Sequence, residues 1–414
     1  MRSSFFSAAI ILFSFSGLNQ SGASDWPQWR GESRDGSVNR ESAFPNSLSE
    51  KNLKKLWSVE LAEGYSSPVS KDGRVFTFST RQKKEEVARA FNVLTGDEIW
   101  SREWAASMKV PFFAAKNGSW VRCTPSLAGG FVYFGGIRDE LVKLNAETGD
   151  EAWRVDFKER HGTKVPTFGY VSSPLVADGG IYIQAGCAVT KLDAETGDEL
   201  WRVMENRQAM FESAFSSPVL ATIHGEKQLV VQTRTTLAGL NPETGDAIWS
   251  IAVKAFRGMN ILTPTVIGNR IFTASYGGGS FLYEVKKTDA GQTVEQAWAI
   301  PTLEGYMASP LVIDDHIYLP GRDQHLHCIA VEDGTVKWKS EEKFGQYWSM
   351  IRKDNRILAL DQTGELILFD ANPEKFEILD RGMVSDQSTW AHIGISGDVL
   401  LVRGLRSLTA YSWK

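Results

Sequence analysis

The sequence predicts an all-β fold: an eight-bladed β-propeller of four-stranded antiparallel blades, the last blade closed by an N-terminal strand. Three observations predict it. A turn and a tryptophan recur together at Thr95-Gly96-Asp97-Glu98-Ile99-Trp100, Thr148-Gly149-Asp150-Glu151-Ala152-Trp153, Thr196-Gly197-Asp198-Glu199-Leu200-Trp201 and Thr244-Gly245-Asp246-Ala247-Ile248-Trp249, and more loosely at Asp333-Gly334-Thr335-Val336-Lys337-Trp338. Tryptophans fall at 57, 100, 153, 201, 249, 298 and 338, a period of roughly 40 to 50 residues that belongs to arrays and propellers. Ahead of the turns, a short strand opening followed by a second apolar run occurs eight times.

Each copy has a local logic. Alternation such as Leu141-Val142-Lys143-Leu144 marks a half-buried strand. The Glu-Thr-Gly-Asp turn then reverses the chain, its glycine free to take positive φ. The tryptophan comes on the returning strand. One hairpin cannot bury an indole, so the ring must pack on the neighbouring repeat. The competing use, a ligand platform in every repeat, explains the period less well.

Taken in order, residues 1–23 form a signal peptide: Arg2, a short apolar stretch from Phe5 to Leu18, and small residues Ser21-Gly22-Ala23 for cleavage. The stretch is too short and serine-broken for a membrane span, and no later segment is apolar enough for one. Residues 24–54, opening Asp25-Trp26-Pro27-Gln28-Trp29-Arg30-Gly31, lack a period and are expected to wrap the outside of the propeller, which takes up 55–414. The strand openings follow at Ser66-Ser67-Pro68-Val69, Thr124-Pro125, Ser173-Pro174, Ser217-Pro218, Thr263-Pro264 and Ser309-Pro310, with degenerate copies at Ser349-Met350-Ile351 and His392-Ile393-Gly394. Proline suits a first strand position, where its missing N–H costs little. The last repeat ends at Trp413-Lys414 one strand short, and the orphan strand around Trp57 completes it. Such closure removes exposed edges. A solenoid, the rival architecture, would need caps at both ends.

Composition sets outer limits. The chain has 414 residues, 42% hydrophobic and 23% charged, which suits a globular protein with an ample core. A net charge of −5 points away from nucleic acid, and no basic run points to an anionic membrane surface. Cys123, Cys187 and Cys328 are too few and too scattered for a disulfide framework and read as small buried strand residues. His325 and His327 share a strand face without a third ligand, so no metal site is expected. Gly277-Gly278-Gly279 opens no helix and is not a phosphate cradle.

The Ala-x-Thr-Gly-x-x-x-Trp ending resembles the pyrroloquinoline quinone (PQQ) repeat of quinoprotein dehydrogenases and of BamB-like outer-membrane assembly proteins, over about residues 52–414. Asp25-Trp26-Pro27, Arg34-Asp35-Gly36 and Asn52-Leu53-Lys54-Lys55-Leu56-Trp57 resemble the opening of the same proteins. The resemblance implies a periplasmic or secreted propeller. It implies either of two activities: a non-catalytic, monomeric scaffold that binds an envelope protein or peptide, outer-membrane assembly machinery included, or an alcohol or sugar oxidoreductase using PQQ with calcium. The dehydrogenases' adjacent cysteines have no counterpart here, nor does the lipid-bearing cysteine after the BamB leader. The scaffold, without catalytic residues, cofactor or metal, is the first expectation.

In a propeller, the loops entering each inner strand and those joining the second and third strands crowd one face. There the sequence places Tyr65, Arg122, Arg138, Asp139, Tyr170, Phe215, Arg234, Asn260, Tyr306, Arg322, Asp323, Trp348 and Trp390 as candidate ligand contacts. Rings and guanidinium groups together suit a flat anion or a carboxylate-bearing peptide. The alternative is that neighbouring arginines and aspartates lock these loops to one another. The apolar loop 105–119 is expected to cover the mouth, meet a partner, or pack on the N-terminal extension.

Overall fold

The computed structural model describes residues 25–40, 42–208 and 214–413; the leader lies outside them. Eight four-stranded antiparallel sheets make up the described chain. Blade 1 runs Val69–Lys71, Arg74–Arg81, Glu85–Asn92 and Glu98–Ala105 from the axis outwards. The next six blades begin at Ser126, Leu175, Val219, Thr265, Leu311 and Trp348. Blade 8 combines Gly394–Ser396, Val399–Gly404 and Ser407–Trp413 with Leu53–Glu60, which pairs antiparallel to the last strand with Trp57 opposite Ala410. The ring is therefore closed by its first strand, and the two degenerate openings are real inner strands.

Burial follows position in the blade. Second and third strands are sandwiched between neighbouring blades and bury both faces, as in Arg356–Asp361 and Glu365–Asp370. Outer strands face solvent on one side and alternate, as in Ile378–Met383. The core is accordingly a series of apolar layers, one at each junction between blades.

The indoles of the repeat lie in those layers, over the next blade's turn. A Cβ on Gly149 would stand 2.7 Å from Trp100, one on Gly96 2.7 Å from Trp57, and one on Gly334 2.8 Å from Trp298. Trp57, Trp100 and Trp298 donate their indole N–H to Val93, Ala146 and Val331 of the following blade at 2.9, 3.1 and 2.9 Å. The turn glycine thus has two reasons to be glycine. Its φ is positive (74° at Gly149), and its missing side chain is the seat of the indole.

A second set of links runs round the axis. Backbone N–H groups at the head of one inner strand donate to a hydroxyl of the next: Thr124 to Ser173 (3.1 Å), Ser173 to Ser217 (2.9 Å), Ser217 to Thr263 (2.9 Å), and His392 to Ser67 (2.7 Å). The Ser/Thr that precedes Pro68, Pro174, Pro218 and Pro264 is therefore a latch between blades, not only part of a strand start.

The N-terminal extension departs from expectation. Its first half lies inside the ring rather than around it. Trp26 bridges to Ser70, Pro27 accepts from the Leu127 N–H at 2.7 Å, and Val38 donates to Arg352 at 2.8 Å. The buried Arg34 guanidinium donates to Ser173 and Pro174 carbonyls, both at 3.0 Å, and buried Arg30 donates to Pro310. Inner strands are edge strands, with carbonyls facing the axis and needing donors. The extension supplies them and fills that part of the channel. Its second half crosses blades 7 and 8, where Phe44 meets Trp413 (5.5 Å) and the Leu48 N–H bonds Asp380 (2.6 Å), before the closing strand begins.

Gly149→Ala must bring both a strained φ and a clash with Trp100. Each effect typically costs about 1 to 3 kcal/mol, so the denaturant midpoint is expected to fall well below that of Ala152→Gly, which touches neither.

Candidate functional site

Strand alternation puts the loops before each inner strand and the turns between second and third strands on one end of the ring, as expected. The candidate residues gather there in three groups. In the first, Tyr65 stacks on Trp390 (centroids 5.1 Å, 19° between planes), and Tyr347 stacks on Trp390 in turn (6.1 Å, 17°). Trp120 closes edge-on against Tyr65 at 5.6 Å. This aromatic run extends inwards through His392 to Trp29 of the N-terminal segment. In the second, Tyr276 and Tyr306 lie 5.7 Å apart, with the Arg322 guanidinium 4.1 Å from the Tyr276 ring. Arg322 also pairs with Glu304 at 2.8 Å. In the third, Phe168 packs on Phe215 at 5.7 Å while Arg234 lies 4.4 Å from the Phe215 ring.

Several other candidates turn inward to the protein itself. Arg122 donates to the carbonyls of Phe168 (3.1 Å), Asn117 (3.2 Å) and Gly118. Buried Arg234 donates to Arg257 and Gly258, and Asn260 donates back to the Arg234 carbonyl at 3.0 Å. Trp348 is buried, its indole N–H on the Asp361 carboxylate at 2.8 Å. Asp323 sits between His327 (3.0 Å) and Lys339 (2.8 Å), which hold its carboxyl down at about 2 against the effect of burial. Tyr170 is buried near Cys123, and burial raises its phenol well above the usual range. Arg138 is half-buried in the turn that Asp139 ends. Asp139 accepts the Gly186 N–H at 3.0 Å, and burial pushes its carboxyl up to about 7.

Trp120 and Tyr347 belong to the aromatic run but were not among the sequence candidates. Their signal was adjacency: each stands one or two residues before a predicted position.

A calcium-held quinone needs a converging donor set and a face to stack on. Among the described residues, no three of His, Cys, Asp or Glu come together as metal ligands. Cys123, Cys187 and Cys328 are each buried, in three different blades, so no pair can stack on a ring system.

A family profile described as outer membrane protein assembly factor BamB matches residues 83–340, more than half of the chain. The chain belongs to this family. Solved structures similar to this BamB-family chain include natural propellers of two kinds and a designed one. BamB from Moraxella catarrhalis aligns with a TM-score of 0.61 at 13% identity, over 87% of this chain and 98% of that one. A quinohemoprotein alcohol dehydrogenase from Pseudomonas putida HK5 aligns with the same TM-score and identity, over 94% and 80%. A computationally designed protein, Ika8, aligns at 0.58 and 10% identity, over 87% and 99%. At such identities the likeness is one of fold alone. The search of curated proteins returned no match.

The raised carboxyl of Asp139 has a signed consequence. Its folded pKa lies above the unfolded value, so its contribution to stability is full below about pH 4 and is lost as pH rises through about 7. Denaturation of Asp139→Asn at a series of pH values is expected to show a shallower fall between pH 4 and 7 than the parent chain.

Proposed function

We propose that this BamB-family chain is an exported, non-catalytic propeller that binds a segment of an envelope protein at its aromatic mouth. The observation that carries the reading is the run Trp120, Tyr65, Trp390 and Tyr347, stacked at the opening of a channel partly filled by the chain's own N-terminal segment. Half-exposed Tyr65, Trp120 and Trp390 offer flat apolar area with polar edges. Such rings contribute contact at low conformational cost and dominate protein-recognition sites. The family description, an outer-membrane assembly factor, supports a partner within the envelope, and the leader-like residues 1–23 support export to the periplasm or beyond.

Oxidoreductase chemistry with PQQ and calcium is the reading this proposal opposes. Purified protein is expected to give no saturable PQQ binding with calcium and no dye reduction by an alcohol; saturable binding or dye reduction would count against the scaffold. In a pull-down of outer-membrane assembly components, Tyr65→Ala with Trp390→Ala is expected to weaken capture by about tenfold or more, since two such rings contribute roughly 2 kcal/mol each at a contact centre. Arg234→Lys serves as the comparison, because its guanidinium bonds the protein's own carbonyls.

A further inference from the structure

Two loops on the mouth end of the ring carry phenyl rings into solvent. Phe112 is 89% exposed and Phe113 59%, on the short turn Phe112–Asn117, none of whose residues is buried. Phe256, 51% exposed, stands on the loop between blades 4 and 5. Both loops run from an outer strand to the next inner strand, which fixes them on the same face. Exposed Lys109 and Lys116 flank the first pair, and the Arg257 guanidinium lies 5.2 Å from the Phe256 ring. No acidic residue occurs in 105–119 or 253–262.

The opposite face has the reverse charge. It is built from the repeat's own turns, which carry Asp97, Asp150, Asp198, Asp246 and Asp333 at the far ends of the third strands. The acidic repeat turns thus all lie on one end, while the other places Lys109, Lys116 and Arg257 beside exposed phenyl rings and pairs its carboxylates Glu304 and Asp323 with Arg322, His327 and Lys339. No run of basic residues announces this, because the cations come from loops of separate blades.

We propose that the mouth face rests on an anionic phospholipid bilayer, with Phe112, Phe113 and Phe256 at the boundary of headgroups and acyl chains and the acidic turns directed away. The features match what interfacial attachment requires: apolar area on protruding tips, cations at headgroup level, and a charge asymmetry that orients the molecule. A protruding tip suits a fluid surface, whereas a protein partner would have to bring its own groove. The proposal does not depend on what the mouth binds. It would turn the mouth towards partners that sit in the membrane.

The test is co-sedimentation of the leaderless chain with vesicles of phosphatidylcholine, with and without phosphatidylglycerol. Binding is expected only with phosphatidylglycerol and to weaken with salt. Phe112→Ser with Phe113→Ser is expected to lower partitioning by at least ~10-fold. Leu94→Ser, an exposed apolar residue on the acidic face, is expected to leave it unchanged. All three positions are exposed, so folding is not at risk. No binding to phosphatidylglycerol vesicles, or equal binding by the double variant, would overturn the proposal. So would a double variant that keeps vesicle binding yet loses capture of a soluble protein, since the rings would then belong to a protein contact.

Discussion

The ring depends on a contact between an indole and a glycine. Seven outer strands carry the tryptophan, and five of these indoles cover the turn glycine of the next blade, where a side chain would push them out. Two exceptions show the dependence. Blade 5 has a long hairpin between Gly279–Thr288 and Gly291–Ile300 in place of the Thr-Gly-Asp turn, and the tryptophan facing it, Trp249, folds back instead. Its indole N–H bonds Gln228 of its own blade at 2.7 Å, over the bare Cα of Gly239. Blade 7 also lacks the turn, and there Trp338 packs on Phe376 (5.5 Å) while donating to the Asn372 carbonyl (2.8 Å). Where the seat is missing, the indole finds another partner; a buried indole N–H without one is costly.

Indoles fasten the outside of each junction and Ser/Thr hydroxyls fasten the inside. That leaves the inner strands' axial edge, which the N-terminal segment covers. Placing Arg30 and Arg34 there is expensive, since burial lowers their pKa to about 10 and about 9. Both nonetheless remain charged at neutral pH, and their bonds to backbone carbonyls offset the desolvation. The arrangement makes the segment part of the fold and leaves the mouth, rather than the whole channel, as the accessible surface. It also brings Trp29 under His392, so that the aromatic run at the mouth rests on the segment that fills the channel.

The two ends of the ring owe their different chemistry to the direction of the strands. Turns that close the repeat are acidic by motif and all fall on one end. Connections between blades carry no motif and fall on the other, where they vary in length and gather rings and cations. The proposed scaffold and membrane contacts both lie on the end that the repeat does not dictate.

The sequence by itself determined the blades, their number, the closing strand and the burial of the indoles. Those features rest on interactions within a hairpin or between successive repeats, so a period of turns and tryptophans reports them directly. Only the tertiary structure decided the rest. Nothing in Arg122, Arg234, Asn260 or Trp348 says whether the side chain meets a ligand or the protein's own loops, because the answer depends on carbonyls and carboxylates brought near by folding. Arg30 finds its carbonyl 280 residues away at Pro310, and Trp26 its partner 44 residues away at Ser70, in a segment without period. Such pairings leave no local pattern, since the axis that joins them exists only once the ring has closed.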